Sequence, residues 1–190
     1  MLQFVANIRE TQVLNTLADS SSLIVLARPN DLWLLKRYFN LVGLTPSAYD
    51  ETVVRGKALG YPDAARIEAA VVDGWLRIVS LTADELKLAR LLRNNVPALS
   101  HTDCETLICA RERGWVLIME ERRGHRVAEK QGIHYVTIQA LPLHGLIEKQ
   151  LTFVECGALL TRIGQAMHTD QAIVHVLRAA AQEIEQARTT

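Results

Sequence analysis

The sequence predicts an α/β fold in which helices cover a largely parallel sheet. Short apolar runs of strand length alternate along the chain with longer segments whose apolar residues recur at helical spacing, as in successive β–α–β units. Apolar residues make up 49% of the 190 residues, which is ample for a core. Acidic residues follow two of the predicted strands, at the end where parallel sheets build their sites. The same pattern therefore predicts both the fold class and the region that carries function.

The predicted elements keep this alternation to about residue 150 and then become helical. The predicted strands are 13–18, 75–79, 115–119 and 133–137. The predicted helices are 23–27, 32–41, 46–56, 63–72, 82–93, 102–113, 124–130, 141–149, 152–166 and 170–187. We expect residues 1–150 to form the α/β domain, with 1–12 as an N-terminal extension, and 151–190 to be a helical appendage packed on the same domain.

Local signals mark the starts and ends of the elements in the first half of the chain. Asp19 follows the first strand, and serines 20–22 are predicted to form a turn before the apolar helix. A Pro-Asn-Asp breaker separates that helix from the next one, which Gly43 is predicted to end. Pro46 suits the first turn of the helix after it.

Two capping boxes organise the middle of the chain. Thr82 with Glu85, and Thr102 with Glu105, have the spacing in which a threonine and a glutamate satisfy each other's backbone amides, so helices are predicted to begin near both threonines. Gly114 ends the second helix. An apolar strand follows it and ends in two glutamates and two arginines. This helix–strand unit is the segment around which the predicted site is arranged.

Bulk composition excludes several classes of protein. The 21 basic and 21 acidic residues give a formal net charge of zero, which argues against a protein that holds nucleic acid by overall charge. No apolar run reaches the roughly 18 residues of a membrane span, and the N-terminus lacks the apolar core of a secretion signal. The three cysteines form no CxxC pair, so we expect reduced packing residues in a cytoplasmic protein. No phosphate-binding glycine motif occurs.

Carboxylates fall where an α/β sheet would place a site. They are Asp19, Glu51, Asp103, and Glu121 or its neighbour Glu120. Adjacent carboxylates repel one another and raise each other's pKa, and a divalent cation removes that cost. Mg²⁺ and Mn²⁺ prefer oxygen ligands, activate a bound water and stabilise charge on phosphate. The pattern is therefore typical of phosphodiester hydrolysis.

Each acid also has a purely structural interpretation. Asp19 would serve as a turn residue, Asp103 as a helix-start acid favoured by the macrodipole, and Glu51 as solvated surface. The glutamates at 120–121 would pair with the arginines at 122–123. Spacing alone leaves both interpretations open.

Three segments resemble, in order, the motifs of the PIN-domain family. They are ADSSSLIVLAR, TPSAYDETVVRG and DCETLICARERGWVLIMEERRGHRVAEKQGI. In the first, Asp19, Ser21, Leu23 and Ile24 match the family pattern, and Ser22 replaces a proline. The similarity covers about residues 13–150 and is closest to the subgroup of toxin nucleases in bacterial toxin–antitoxin (VapC-like) systems.

The resemblance implies a PIN-like three-layer α/β/α fold with a mainly parallel central sheet, plus C-terminal helices. It also implies an Mg²⁺- or Mn²⁺-dependent ribonuclease. The implied catalytic and metal-binding residues are Asp19, Glu51, Asp103 and Glu121, with Glu120 as a rival. The resemblance gives Ser21 a role in supporting the first acid or the substrate, and Arg122 and Arg123 are predicted to bind substrate because guanidinium groups suit phosphates. Two departures stand out: the fourth acid is a glutamate where the family usually has aspartate, and Asp50 adjoins Glu51 and competes for the second position.

Two functions follow from these observations. The first is a cytoplasmic endoribonuclease that hydrolyses RNA with a metal-activated water, as the toxin half of a toxin–antitoxin pair. It implies an RNA substrate, an antitoxin protein as partner and a possible homodimer. The alternative is a catalytically weakened PIN-like module that acts through a protein or nucleic-acid partner.

Overall fold

A five-stranded parallel sheet forms the centre of the protein. The computed structural model describes residues 15–189, so the predicted extension 1–12 and the start of the first predicted strand lie outside the described residues. The strands are β1 (Asn15–Ala18), β2 (Leu41–Leu44), β3 (Leu76–Ile78), β4 (Val116–Ile118) and β5 (Tyr135–Val136). Their spatial order is β3-β2-β1-β4-β5, and each neighbouring pair is parallel. The chain first adds strands on one side of β1 and then on the other, so the topological switch point lies between β1 and β4.

Helices connect the strands and follow the last one. They are α1 (Ser20–Ala27), α2 (Trp33–Tyr38), α3 (Pro46–Tyr49), α4 (Gly56–Ala58), α5 (Pro62–Val72), α6 (Ala83–Asn95), α7 (His101–Arg113), α8 (Arg122–Gln131), α9 (Leu141–Ile147), α10 (Phe153–Ala166) and α11 (Gln171–Thr189). A π-helical segment, Asp50–Arg55, joins α3 to α4, and a 3-10 turn, Ile138–Ala140, precedes α9. Apart from the missed strand described below, the predicted order of helices and strands is confirmed.

The central strands separate two apolar layers. Leu17 and Leu117 belong to a buried cluster with residues of α6, α7 and α8, whereas Ala18 and Ile118 belong to another with residues of α1, α2, α5 and α10. Successive strand residues point to opposite faces, and both faces are covered, which explains why the strands are apolar throughout. The predicted α/β/α architecture with a parallel sheet is confirmed.

One strand contradicts the sequence-based assignment. The helix predicted over 32–41 ends at Tyr38, and Leu41–Leu44 is β2 rather than a helix terminated by Gly43. A Cβ atom on Gly43 would lie 2.7 Å from Val79 Cγ2 and 3.1 Å from Leu17 Cδ1. The glycine therefore permits close packing within a strand. In the sequence alone, Gly43 resembles the end of a helix, so this role was not predicted.

The C-terminal helices contact the rest of the protein through a long-range ion pair. Arg162 of α10 donates to both carboxylate oxygens of Asp31, at 3.0 Å and 2.8 Å, and Asp31 is 2% exposed. Ala181 of α11 packs in an apolar cluster with Leu143 and Leu160. Of the helices in residues 15–189, none is long and apolar enough to cross a membrane. The three cysteines are free and buried, as expected.

Candidate active site

Asp19 lies directly after β1, at the switch point of the sheet. Its backbone N–H donates to the carbonyl of Ile118 at 3.0 Å, and its side chain caps α1 by accepting from the Ser22 N–H at 2.7 Å. The Ser21 hydroxyl donates to the other carboxylate oxygen at 2.9 Å. The predicted serine turn is therefore wrong, because an aspartate N-cap makes Ser20–Ser22 the first turn of the helix.

The carboxyl group of Asp19 is desolvated. Asp19 is only 1% exposed. Burial raises its pKa above the ordinary value, hydrogen bonds from Ser22 and Ser21 oppose that shift, and the charge of Asp103 adds to it. Asp103 is thus near enough for the two carboxylates to repel each other. An ionised Asp19 is costly at this position unless a cation compensates it.

Asp103 lies at the start of α7, where it completes a capping box with Ser100. The Ser100 hydroxyl accepts from the Asp103 N–H at 3.0 Å, and an Asp103 carboxylate oxygen accepts from the Ser100 N–H at 3.0 Å. The predicted box of Thr102 with Glu105 is wrong, because the N-cap is Ser100, two residues earlier, and Ser100 with Asp103 has the same spacing. Glu105 instead pairs with His101.

The structure connects Glu51, rather than Asp50, to the start of α1. The Ser20 hydroxyl donates to Glu51 Oε2 at 2.9 Å. Asp50 forms an exposed ion pair with Arg55, with 2.8 Å between Oδ2 and Nε. Both acids belong to the π-helical segment, and such wide turns often occur at functional sites. Ser20 is the residue that sequence reasoning missed here, although its position next to Asp19 was a usable signal.

The two glutamates after β4 have different environments. Glu120 Oε1 accepts from the Ile138 N–H at 2.5 Å, and burial, with a further contribution from Asp19, raises the pKa of Glu120 to about 8. Glu121 is exposed and caps α8, accepting from the Arg123 N–H at 3.0 Å. The geometry therefore associates Glu120 with Asp19 and assigns Glu121 a helix-capping contact.

The predicted substrate-binding arginines lie at the start of α8. Arg122 and Arg123 are both exposed, and Arg123 Nη1 donates to the Ala98 carbonyl at 3.3 Å. His125 follows them and donates from Nε2 to the Met119 carbonyl at 2.7 Å, while its ring stacks on Tyr135. The arginines are thus exposed on the helix that directly follows the two glutamates.

The donor set fits a hard divalent cation. Asp19 interacts electrostatically with both Asp103 and Glu120. Glu51 accepts a hydrogen bond from Ser20, which is the residue next to Asp19. These ligands are all carboxylate oxygens, the type that Mg²⁺ and Mn²⁺ prefer. Within residues 15–189, however, no three acidic, histidine or cysteine side chains already converge closely enough to hold an ion. A cation held by three or more of these carboxylates at once would therefore require the side chains to move together.

Comparison with known proteins gives a family and a distant structural likeness. Residues 15–179 match a family model described as PIN domain. No protein with a curated description matches the chain. Among solved structures, the chain is similar to the crystal structure of VapBC2 from Rickettsia felis bound to a DNA fragment from their promoter. The two are 10% identical, the match covers 65% of this chain and 98% of the other, and the TM-score is 0.48.

Proposed function

The chain belongs to the PIN-domain family, and from that premise we propose that it is a metal-dependent endoribonuclease. PIN domains are generally nucleases that use divalent metal ions, and Asp19 and the glutamates at 120–121 follow β1 and β4, the strands that flank the switch point of this sheet. The observation that carries the proposal is the association of two desolvated carboxylates, Asp19 and Glu120, whose pKa values are both raised. Such a pair favours a bound cation.

Four carboxylates would hold the ion in this proposal. They are Asp19, Glu51, Asp103 and Glu120, with Glu121 as the alternative fourth ligand. When bound, Mg²⁺ or Mn²⁺ activates a water and stabilises negative charge on the scissile phosphate. The serines at 20–22 orient Asp19 and Glu51 through the hydrogen bonds described above. Arg122 and Arg123, exposed at the start of α8, would bind phosphate groups of the RNA, for which guanidinium geometry is well suited.

The partner and cellular role are also proposals. The similarity of the sequence motifs to toxin nucleases supports a toxin that an antitoxin protein inhibits in the cytoplasm. Exposed apolar side chains on α11, Ile173 and Val176, offer contact area for an antitoxin or for a second copy of the chain.

A second candidate is a PIN-like module without efficient catalysis. Three of the sequence-predicted ligands, Asp19, Asp103 and Glu121, accept hydrogen bonds in helix caps, and the acids of the described residues do not yet converge on one point. Such a protein would bind a partner without metal-dependent turnover.

Mn²⁺ titration by calorimetry, combined with an RNA cleavage assay, tests the proposal. We expect wild type to bind Mn²⁺ and cleave RNA, and Asp19→Asn and Asp103→Asn to weaken Mn²⁺ binding at least about a hundredfold, since even outer-shell partners typically contribute 10–100-fold. Asp84→Asn is the matched control, because Asp84 is an exposed acid in the first turn of another helix. We expect it to behave as wild type.

The two candidate functions give different results in these assays. Mn²⁺-dependent cleavage by Asp19→Asn at the wild-type rate would contradict the catalytic assignment. A wild type that binds no Mn²⁺ would favour the module without catalysis.

A further inference from the structure

A groove of about 500 Å³ lies beside the proposed metal-binding residues. The π-helical segment lines one side with Asp50, Glu51 and Arg55, and the start of α7 lines the other with Ser100 and His101. Glu51 lines the groove and is also one of the proposed metal ligands, Asp19, Glu51, Asp103 and Glu120, which together are called the acidic site below. A polynucleotide bound at the acidic site would therefore place a neighbouring nucleotide in or near this groove.

The charge of the groove argues against a second phosphate subsite. Two carboxylates line it, and its guanidinium group, on Arg55, is held by Asp50 at 2.8 Å. Its other polar groups include the hydroxyls of serine and threonine residues. Carboxylates only accept hydrogen bonds, so this lining suits a neutral ligand that carries hydroxyl donors, such as a sugar, better than an anion.

His101 is held in this groove by a buried carboxylate. Its Nε2 lies 2.9 Å from Glu105 Oε1, and because an ionised carboxylate only accepts, Nε2 donates. Glu105 is 3% exposed, and its other oxygen, Oε2, is buried without a hydrogen-bond partner among the described residues. His101 is thus the hydrogen-bonding partner of a desolvated carboxyl group, which restrains the orientation of its ring. The group that His101 can offer to a ligand is Nδ1.

We propose that this groove binds the ribose of an RNA nucleotide next to the scissile phosphate, and that His101 contacts its 2′-hydroxyl. The inference rests on the proposed function for its substrate class. A hydroxyl both donates and accepts, so Nδ1 can pair with it in either protonation state. DNA lacks this group, and the 2′-hydroxyl is what distinguishes the two nucleic acids at a site. Glu105 is a positioning residue that acts through His101.

Binding of single strands without metal tests the proposal independently of cleavage. Fluorescence anisotropy in EDTA would compare random-sequence RNA with DNA of the same length that carries uracil in place of thymine. Repulsion by the acidic site affects both strands alike, so the RNA-to-DNA affinity ratio isolates the ribose contact. We expect wild type to prefer RNA by about tenfold, the effect of one hydrogen bond.

Three variants identify the source of that preference. His101→Ala should bring the ratio to about one by weakening RNA binding while leaving DNA binding unchanged. Glu105→Gln should keep most of the preference, because the amide oxygen still accepts from Nε2. His134→Ala, which removes an exposed histidine elsewhere, should match wild type. A structural role for His101 would change both affinities together.

The results separate this proposal from the nuclease assignment. Equal affinity of wild type for RNA and DNA, or an unchanged ratio in His101→Ala, overturns the ribose contact even if Mn²⁺-dependent RNA cleavage is observed. A preference that His101→Ala removes supports the contact even if wild type cleaves neither strand with Mn²⁺, a result that would overturn the nuclease instead.

Discussion

Two glutamates show opposite uses of a carboxyl group removed from water. Glu85 lies where the start of α6 contacts the end of α7, a contact called the helix joint below, and Glu120 follows β4. Glu85 accepts from Arg113 Nε at 2.8 Å, from Arg113 Nη2 at 2.9 Å and from the Thr82 N–H at 2.6 Å. Its pKa is lowered, chiefly by the hydrogen bonds from Arg113. Glu120 accepts from the Ile138 N–H and faces Asp19, and burial raises its pKa to about 8.

The difference separates a structural carboxylate from one that lacks compensation. At the helix joint, a guanidinium neutralises the charge and ties two helices together. At the carboxyl ends of β1 and β4, the charges of Asp19 and Glu120 repel each other, and Glu120 accepts a hydrogen bond from a backbone amide rather than from a cation. Glu85 therefore stabilises the fold when ionised, whereas ionised Glu120 destabilises the protein unless a cation binds.

The largest expected effect is a pH-dependent gain in stability on removing the charge of Glu120. Because its pKa is raised from 4.5 to about 8, the folded state retains a proton that the unfolded state loses, and stability falls as the pH rises between these values. Glu120→Gln should thus be more stable than metal-free wild type by about 3 kcal/mol near pH 8. The difference should be small near pH 5. Urea unfolding in EDTA measures it, and equal differences at both pH values would contradict the assignment.

A smaller effect of opposite sign is expected at the helix joint. Glu85→Gln should destabilise the protein by about 2 kcal/mol near neutral pH, because it leaves the partly buried Arg113 without a carboxylate. The stabilisation by Glu85 is present above the ordinary carboxyl pKa and is lost as the pH falls through its lowered pKa. Glu112→Gln, at an exposed ion pair, is the control and should change urea unfolding by less than about 0.5 kcal/mol. Loss of Mn²⁺ binding in Glu85→Gln would argue against a purely structural role.

The smallest expected effect concerns the neighbour of Glu120. Glu121→Ala should cost about 1 kcal/mol of stability, the usual contribution of a helix N-cap, and leave Mn²⁺ affinity unchanged. Glu120→Gln should weaken that affinity. Thermal unfolding and calorimetry on both variants test this. If Glu121→Ala alone loses Mn²⁺, the fourth ligand is the one that the sequence motif indicated.

Fold class was predictable because it depends on patterns that the chain repeats. The apolar runs at 115–119 and 133–137 contain the shorter strands β4 and β5, and Thr82 with Glu85 caps a helix as expected. β2 was missed because Gly43 resembles the end of the preceding helix, whereas its role in the strand depends on Val79, a contact distant in sequence. The division of the chain near residue 150 stays a prediction.

The site was predictable in its location but less so in its details. Asp19 and the acids after β4 follow from the rule that parallel sheets bind ligands at the carboxyl ends of their strands. The choice between Glu120 and Glu121 depends on which side chain is buried and which caps α8, and adjacent identical residues carry no signal for that. The link from Ser20 to Glu51 depends on the π-helical turn, which no sequence pattern indicated.

The sheet order has a consequence for the protein during its synthesis. β1 lies between β2 and β4, and Thr16 pairs with Val116, one hundred residues later in the chain. At ordinary rates of translation, roughly 5–20 s pass before that partner is made. During this interval β1 can pair on the β2 side only, and its other edge is open to strands of other chains. Asp19 follows β1 and Glu120 follows β4, so the two carboxyl groups come together only when β4 pairs with β1. A ribosome-bound chain that ends before β4 therefore lacks this candidate site.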